Sequence, residues 1–445
     1  MKKRSLVRLV LSLLLILTLL TGCAQTSQNQ PSPGSTGTPG STGAPGSPEP
    51  TETAPSKPID PNKDTIVFGA ARSQSGVFAV FDESVFGPIY RMWADEINAD
   101  GGLYVEEYGK KLKIELKIYD DTSDLGTMTR LYEKLILEDK VDFLLPPVST
   151  AFLYAVAPIA NRYGYILMGA EGGSATLKES IAKYPYFFST LNFSDTQIPA
   201  LVDLCKELNV TSAYIVYIED LHGTEYSGAA VPALTSAGVD IKGIKSVPAY
   251  IQDMTPILNS AKESGAQAFL MFAYPDQNYL AIGQAMAIGY SPDMFLIGPG
   301  GSYDVMMQIF GKEAIEGMMG WGAWNEKSSE SAAAFAKKFR EKWGDHPEIS
   351  LDWWGHLPYY VGLEVLAQAI ERAGTLDNAK VRDIIATEKF DTMMGEVYFV
   401  DNMIAGECYL GNIGQWQNGI FEVIDVGEKR TADPIVPKPA WPTAG

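Results

Sequence analysis

Between residues 65 and 297 the chain alternates short apolar runs with longer amphipathic stretches. The runs are closed by turn residues, as strands buried in a sheet are, and the stretches between them carry one apolar face. Strands separated by helices of about 10–15 residues leave one architecture open, βαβ units wound on a parallel sheet. Thr65-Ile66-Val67-Phe68-Gly69-Ala70-Ala71 reads as the first strand. Val85, Ile89, Met92, Trp93 and Ile97 share the face of a helix that Asn98-Ala99-Asp100-Gly101-Gly102 stops. Residues 112–119 alternate with period two, a strand with one wetter face. Further strands are expected at 141–145, 165–168, 213–218, 268–273 and 294–297. Helices are expected at 127–138, 151–162, 201–208, 228–237, 251–263 and 279–288. This is more strand than one sheet usually holds, so two sheets follow. Late helices at 331–343, 358–373 and 379–387 and late strands at 395–399 and 420–424 complete the pattern.

Ahead of this globular part the chain changes character. Lys2, Lys3, Arg4 and Arg8 precede an apolar run from Leu9 to Leu20, and Leu20-Thr21-Gly22-Cys23 follows. A basic head, a short apolar segment and small residues describe a secretory signal over 1–22. The run is too short to span a bilayer comfortably. The four residues ending at Cys23 resemble the bacterial lipobox, which implies a lipid on the Cys23 thiol; the plainer alternative is a signal peptide with an incidental cysteine. From 24 to about 62 the chain is Pro, Gly, Ser, Thr and Gln with almost no large apolar residue. It buries too little to offset its ordering entropy, so 23–63 reads as a lipidated cysteine and a disordered spacer. Such a coil spans roughly 35 Å.

Composition removes several function classes. Net charge is 35 − 54 = −19, and no basic run lies along the folded part, which argues against a nucleic-acid partner. Cys205 and Cys408 are too few for a disulfide framework, and Cys205 reads as a buried helical residue, which favours two unpaired thiols. The three histidines, His222, His346 and His356, lack metal-ligand spacing. No nucleophile elbow or phosphate loop occurs. Asp120-Asp121 suits capping or solvation better than acid chemistry. An enzyme, a resident metal and a cofactor are therefore not expected.

In open α/β sheets, ligands sit beyond the carboxyl ends of the strands. Three such turns are rich in hydroxyls and small residues: the stretch from Arg72 to Phe81, Pro146-Pro147-Val148-Ser149-Thr150, and Gly169-Ala170-Glu171-Gly172-Gly173-Ser174. Ser149 and Thr150 open a helix, where the dipole and unpaired N–H groups favour a carboxylate. Ser149 also suits a plain N-cap, and the two roles are compatible.

Several motifs, in this order, carry a resemblance. They are Asp95-Glu96-Ile97-Asn98-Ala99-Asp100-Gly101-Gly102, Tyr119-Asp120-Asp121-Thr122-Ser123-Asp124, Pro147-Val148-Ser149-Thr150, Ala155-Val156-Ala157-Pro158-Ile159-Ala160, Gly289-Tyr290, the run Leu366 to Gly374, and Gly414-Gln415-Trp416-Gln417-Asn418-Gly419. Over about 64–426 the chain resembles the extracytoplasmic solute-binding proteins of ABC transporters, of the Leu/Ile/Val (branched-chain amino acid)-binding type. The resemblance implies the type I periplasmic binding fold: two Rossmann-like α/β lobes with parallel sheets, joined by three crossover strands. These are expected near Ser189, Gly322 and Met394. Lobe one would be 64–189 plus 323–393, lobe two 190–322 plus 394–430, and 431–445 a C-terminal tail.

The resemblance also implies a site. A ligand carboxylate would be held at Ser149 and Thr150, with Ser75 nearby. An amine would lie near Ala170, Glu171 and Gly172. Lobe two would close with His222 and Tyr274, and Phe78 or Phe81 would wall the side-chain pocket. Two departures bear on the ligand. His222 stands where these proteins often carry tyrosine. The loop Gly298-Pro299-Gly300-Gly301-Ser302-Tyr303-Asp304 has glycine at the position of the acid that pairs the ligand amine. Either Glu171 or Asp304 substitutes, or the ligand is an aromatic acid, an amide or another amine-free carboxylate. Trp324, Trp353 and Trp354 suit a bulky ligand or, equally, core packing. The expected partners are a small-molecule ligand, ABC permease subunits, and a bacterial cell membrane reached through the lipid anchor. A lipoprotein that presents ligand to a membrane sensor is the alternative.

Overall fold

The computed structural model describes residues 59–169, 171–425 and 430–442. The signal segment, Cys23 and the spacer up to residue 58 lie outside the described residues, as does Ala170. In chain order the strands are β1 (Thr65–Arg72), β2 (Leu103–Val105), β3 (Lys110–Asp120), β4 (Phe143–Leu144), β5 (Leu167–Gly169), β6 (Phe187–Ser189), β7 (Ser212–Ile218), β8 (Asp240–Val247), β9 (Ala268–Phe272), β10 (Met294–Gly298) and β11 (Met319–Trp321). They continue with β12 (Phe390–Thr392), β13 (Gly395–Val397), β14 (Phe399–Val400), β15 (Met403–Ile404), β16 (Ile413–Gln417) and β17 (Ile420–Val423).

Two large sheets form, each defining a lobe, and β12 and β13 pair separately as a two-stranded sheet. The first has the order β14-β15-β6-β5-β4-β1-β3-β2, the second β17-β16-β11-β10-β9-β7-β8. In both, the first strand of the lobe lies between the second and third long strands of its βαβ series, all parallel: β3-β1-β4 and β8-β7-β9. Strand order therefore reverses beside β1 in one lobe and beside β7 in the other. That reversal opens a crevice at the carboxyl ends, where ligands bind in such sheets. The late helices His356–Ala373 and Asn378–Thr387 return to lobe one. The expected two-sheet α/β architecture is observed.

The apolar runs form strands because both faces are covered. Phe68 in β1 is buried between Trp93 of the helix Gly87–Ala99, at 5.1 Å between ring centres, and Phe143 of β4, at 5.3 Å. Boundaries moved where polar capping outweighs apolar period. The helix Leu221–Ser236 starts seven residues before the expected 228 because the Asp220 side chain accepts from the Gly223 N–H. The strand β8 has no counterpart in the expected pattern. It pairs only with β7, and its sequence Asp240-Ile241-Lys242-Gly243-Ile244-Lys245-Ser246-Val247 is largely exposed, as an edge strand can be. The third crossover also comes later than Met394. β14 and β15 still pair in the first sheet, β15 beside β6, and the second sheet resumes only at Ile413. Residues 394–404 therefore belong to lobe one. Cys205 sits buried as a free thiol in the helix Ser194–Glu207.

Gly69 tests the packing of β1. A methyl group there would lie 2.9 Å from both Leu135 and Val141. Gly69→Val is expected to cost about 1–3 kcal/mol through overpacking, despite valine's strand preference. A urea midpoint equal to or above that of the parent protein would contradict this packing.

Candidate functional site

The lobe-one half of the site is organised by one buried cation. Arg72 ends β1 with 0% of its side chain exposed. Its Nε donates to Asp82 Oδ1 at 2.7 Å, and its Nη1 donates to the Pro146 carbonyl at 2.6 Å and to Glu171 Oε1 at 2.5 Å. These three partners stand on the three strand-end loops of the lobe. Asp82 lies in the π-helical turn Phe81–Phe86 after β1, Pro146 after β4, and Glu171 after β5. Tyr90 also donates to Asp82, at 3.1 Å. Burial opposes the Arg72 charge, but Glu171 and Asp82 raise its pKa well above the usual value. One cation facing two carboxyls leaves a surplus negative charge if both ionise. Burial pushes Glu171 up to about 8 against the pull of Arg72, so a proton removes the surplus near neutral pH.

Beside this cluster lies a helix N-terminus. Ser149 caps the helix Thr150–Arg162, with its Oγ accepting from the Phe152 N–H at 3.4 Å. Its backbone has φ +82° and ψ +151°, a region L residues enter only at a cost of about 1–3 kcal/mol. Strain of that kind is retained where a site requires it. Thr150 is buried next to it and donates to Ser174 Oγ at 3.4 Å. The first N–H groups of the helix have no intrahelical acceptor, and the dipole adds positive potential there.

Lobe two presents His222 and Tyr274, from the loops after β7 and β9 that flank its own point of strand reversal. Asp220 fixes both. It caps the His222 helix and accepts from the Tyr274 hydroxyl at 2.6 Å. The His222 ring stacks on Tyr274 at 5.4 Å, and the Gly298 backbone lies near it. Burial lowers its pKa, which keeps the imidazole neutral near pH 7. Tyr274 meets Phe78 and Phe81 of lobe one edge-on, each at 5.5 Å. Tyr226 donates to the Gly173 carbonyl across the same gap at 3.2 Å. A side chain at Gly173 would meet that hydroxyl at 2.5 Å, so glycine is what lets the lobes touch.

Between the lobes lies a cleft with about 480 Å³ of empty space, part of it open to solvent. Of the residues expected at the site, Phe81, Ser149, Thr150, Glu171, Gly172, His222 and Tyr274 line it. Two are displaced. Ser75 is exposed and tied to Asp120, whose Oδ2 accepts from its Oγ at 2.7 Å, so it does not reach the cavity wall. Phe78 lies behind the wall, between Phe152 and Tyr274. Glu171 reaches the wall, but its Oε1 is committed to Arg72. Asp304 does not line the cavity; it accepts from Trp353 Nε1 at 2.6 Å and faces Arg340. Trp324 and Trp353 pack on each other at 4.8 Å, while Trp354 stands on the wall.

The rest of the wall was missed from sequence. Phe86, Val148 and Leu191 add apolar surface; Pro299 and Tyr303 come from the loop after β10; Asp352 and Gly355 flank Trp354. The Trp353-Trp354 pair was the visible signal for that last segment, and the acid beside it carried none. Among the described residues no group of three or more His, Cys, Asp or Glu is placed to hold a metal ion.

The cluster yields two expected outcomes. Arg72→Met strands two buried carboxyls and is expected to lower stability by about 3–5 kcal/mol, read by urea denaturation. The second concerns pH. The Glu171 pKa is raised on folding, so its contribution is complete below the unfolded carboxyl range and is lost as pH rises through about 8. The stability of the parent protein minus that of Glu171→Gln is therefore expected to fall between about pH 4.5 and 8. A flat difference would mean that Glu171 stays ionised throughout.

Comparison with known proteins agrees with this architecture. The Leu/Ile/Val-binding protein homolog 7 of Brucella suis biovar 1 is 25% identical over 377 residues, covering 81% of this chain and 91% of that protein. The branched-chain amino acid transporter substrate-binding protein LivJ of Streptococcus pneumoniae, solved with isoleucine, superposes with a TM-score of 0.68 at 18% identity, covering 84% of this chain and 100% of that one. An ABC transporter solute-binding protein of Rhodopseudomonas palustris BisB5, solved with 3,4-dihydroxybenzoic acid, gives 0.68 at 17% identity, covering 84% and 98%. At such identities the structures speak for the fold alone. Residues 65–418 match the model of the periplasmic binding protein family, and the chain belongs to that family.

Proposed function

We propose that this protein is the substrate-binding component of an ABC importer, held outside the cytoplasm by a lipid on Cys23, and that it delivers a small carboxylate-bearing solute to a membrane permease. The observation that carries the reading is the cradle at Ser149 and Thr150. It supplies hydroxyls and helix N–H groups at one end of a cavity whose other walls are largely aromatic. Such a site suits a compact ligand with an anionic head and an apolar body. The relatives bear on the class of solute: one neighbour holds isoleucine and another an aromatic acid. The site residues of this reading are Ser149, Thr150, Gly172, Phe81, His222 and Tyr274.

Closure of the lobes is the working step. The contacts of Tyr274 with Phe78 and Phe81, and of Tyr226 with Gly173, belong to a closed arrangement. A ligand touching both lobes favours that arrangement, and the closed shape is what a permease would read. Among the described residues no helix is long and apolar enough to cross a membrane. Anchoring in this reading rests on Cys23 and the spacer that follows it.

A thermal-shift screen over amino acids, aromatic acids, amides and urea-like solutes is expected to find its stabilising ligands among small carboxylates. With such a ligand, the Ser149→Ala/Thr150→Ala protein is expected to lose a few kcal/mol of affinity by calorimetry, since charge-assisted hydrogen bonds contribute about 1.5–3 kcal/mol each. Undiminished affinity would place the carboxylate elsewhere. Saturating ligand is also expected to reduce the radius of gyration in solution scattering. An unchanged radius would remove closure from the mechanism.

A further inference from the structure

Asp352 stands on the cavity wall between the helices Glu330–Trp343 and His356–Ala373, with 1% of its surface exposed. Its Oδ1 accepts from Ser302 Oγ at 2.7 Å and from the Trp354 N–H at 2.8 Å, and its Oδ2 accepts from the Gly355 N–H at 2.8 Å. These bonds cap the turn into the following helix, which a neutral asparagine or serine would do as well. A carboxylate there is a charge in excess of the structural need. It offers about four lone-pair directions, and three are occupied. Among the described residues it has no Lys or Arg partner. The adjacent His356 is neutral: its Nδ1 accepts from the Asp352 N–H at 3.2 Å, and burial holds its pKa down at about 3. The other titratable groups that bear on it are Tyr279, Tyr303 and Tyr409, all kept protonated by burial. Burial raises Asp352 itself to about 6, as befits a carboxylate with no countercharge.

A second acceptor lines the same cavity from lobe two. His222 is 4% exposed, and its Nε2 is buried without a partner. In the neutral imidazole one ring nitrogen presents a lone pair, and the Gly298 backbone lies near the ring. One loop borders both groups. Gly298 lies near His222 and Ser302 donates to Asp352, with Pro299 and Tyr303 of that loop on the wall. The remaining wall carboxyl, Glu171, is engaged by Arg72.

We propose that Asp352 and His222 determine specificity by receiving an ammonium group of the ligand, so that the site selects zwitterions over acids that lack an amine. This rests on the carboxylate reading above. The Ser149 loop supplies donors, while the Asp352 carboxylate, which has no countercharge, and the unpartnered His222 Nε2 line the same cavity. A cation supplies the charge that Asp352 lacks. An aromatic acid brings no cation and leaves the carboxylate buried and unbalanced.

The test uses matched pairs on the full chain by calorimetry: L-leucine against 4-methylpentanoate, and L-phenylalanine against 3-phenylpropanoate. The amino acid of the pair that binds is expected to be preferred by about tenfold or more, the scale of one charged hydrogen bond. Asp352→Asn keeps the cap and is expected to weaken the amino acid and spare its deaminated partner, bringing the two within about threefold. His222→Phe keeps the stack on Tyr274 and removes Nε2; it is expected to reduce the same preference. Equal affinity for both members in the parent protein overturns the ammonium assignment and leaves the carboxylate reading standing. Equal weakening of both members by Asp352→Asn reduces Asp352 to a cap and overturns its role. If Asp352→Asn fails to fold, the parent-protein ratio and His222→Phe still decide. Failure of every member to bind overturns the carboxylate reading together with this one.

Discussion

The site depends on the charge of Arg72. A guanidinium with no exposed surface cannot be hydrated, so its neighbours must supply both hydrogen-bond acceptors and negative charge. Asp82, Pro146 and Glu171 do so from three separate loops. Each loop is thereby fixed relative to the end of β1, and each carries wall residues of the cavity: Phe81 and Phe86, then Val148 to Thr150, then Glu171 to Gly173. Loops at strand ends are otherwise the most mobile parts of such folds. Here a buried ion cluster ties three of them to the end of β1, beside the strained Ser149 backbone at a helix N-terminus.

Lobe two repeats the topology without the charge. Its strand reversal beside β7 presents His222 and Tyr274, both neutral and aromatic, positioned by the single carboxylate of Asp220. The buried ion cluster sits in lobe one, and lobe two presents aromatic rings to the cavity.

Much of the fold was legible because strands buried on both faces are apolar runs and half-buried ones alternate. β1, β3, β7, β9 and β10 fall where the pattern put them. β8 was not legible, since an edge strand paired on one side tolerates Lys242, Lys245 and Ser246. The early start of the His222 helix was hidden because an aspartate cap and two glycines replace apolar period in its first turns. At the site, the loops at strand ends were identified as candidates and several of their residues reached the wall. Glu171 was expected there, but nothing local discloses that a residue 99 positions away in sequence engages its carboxyl. Asp352 was invisible for a related reason. Its burial is created by Ser302, Trp354 and Gly355 closing around it, and a single acid in a loop carries no periodic signature.

The hinge and the cavity are joined through one indole. Asn192 on the first crossover donates to Asn412 on the third at 2.8 Å, and the Gly322 N–H on the second donates to the Asn412 carbonyl at 3.0 Å. The three connections are thus hydrogen-bonded to one another. Trp354 joins them by donating its Nε1 to Asn192 at 2.8 Å, while its ring stands on the cavity wall. The same segment holds Asp352, two residues earlier, against the loop after β10. Trp354 therefore belongs both to the cavity wall and to the connections between the lobes. A link of this kind needs no long pathway, because the hydrogen bond that orients the wall residue is made to one of those connections.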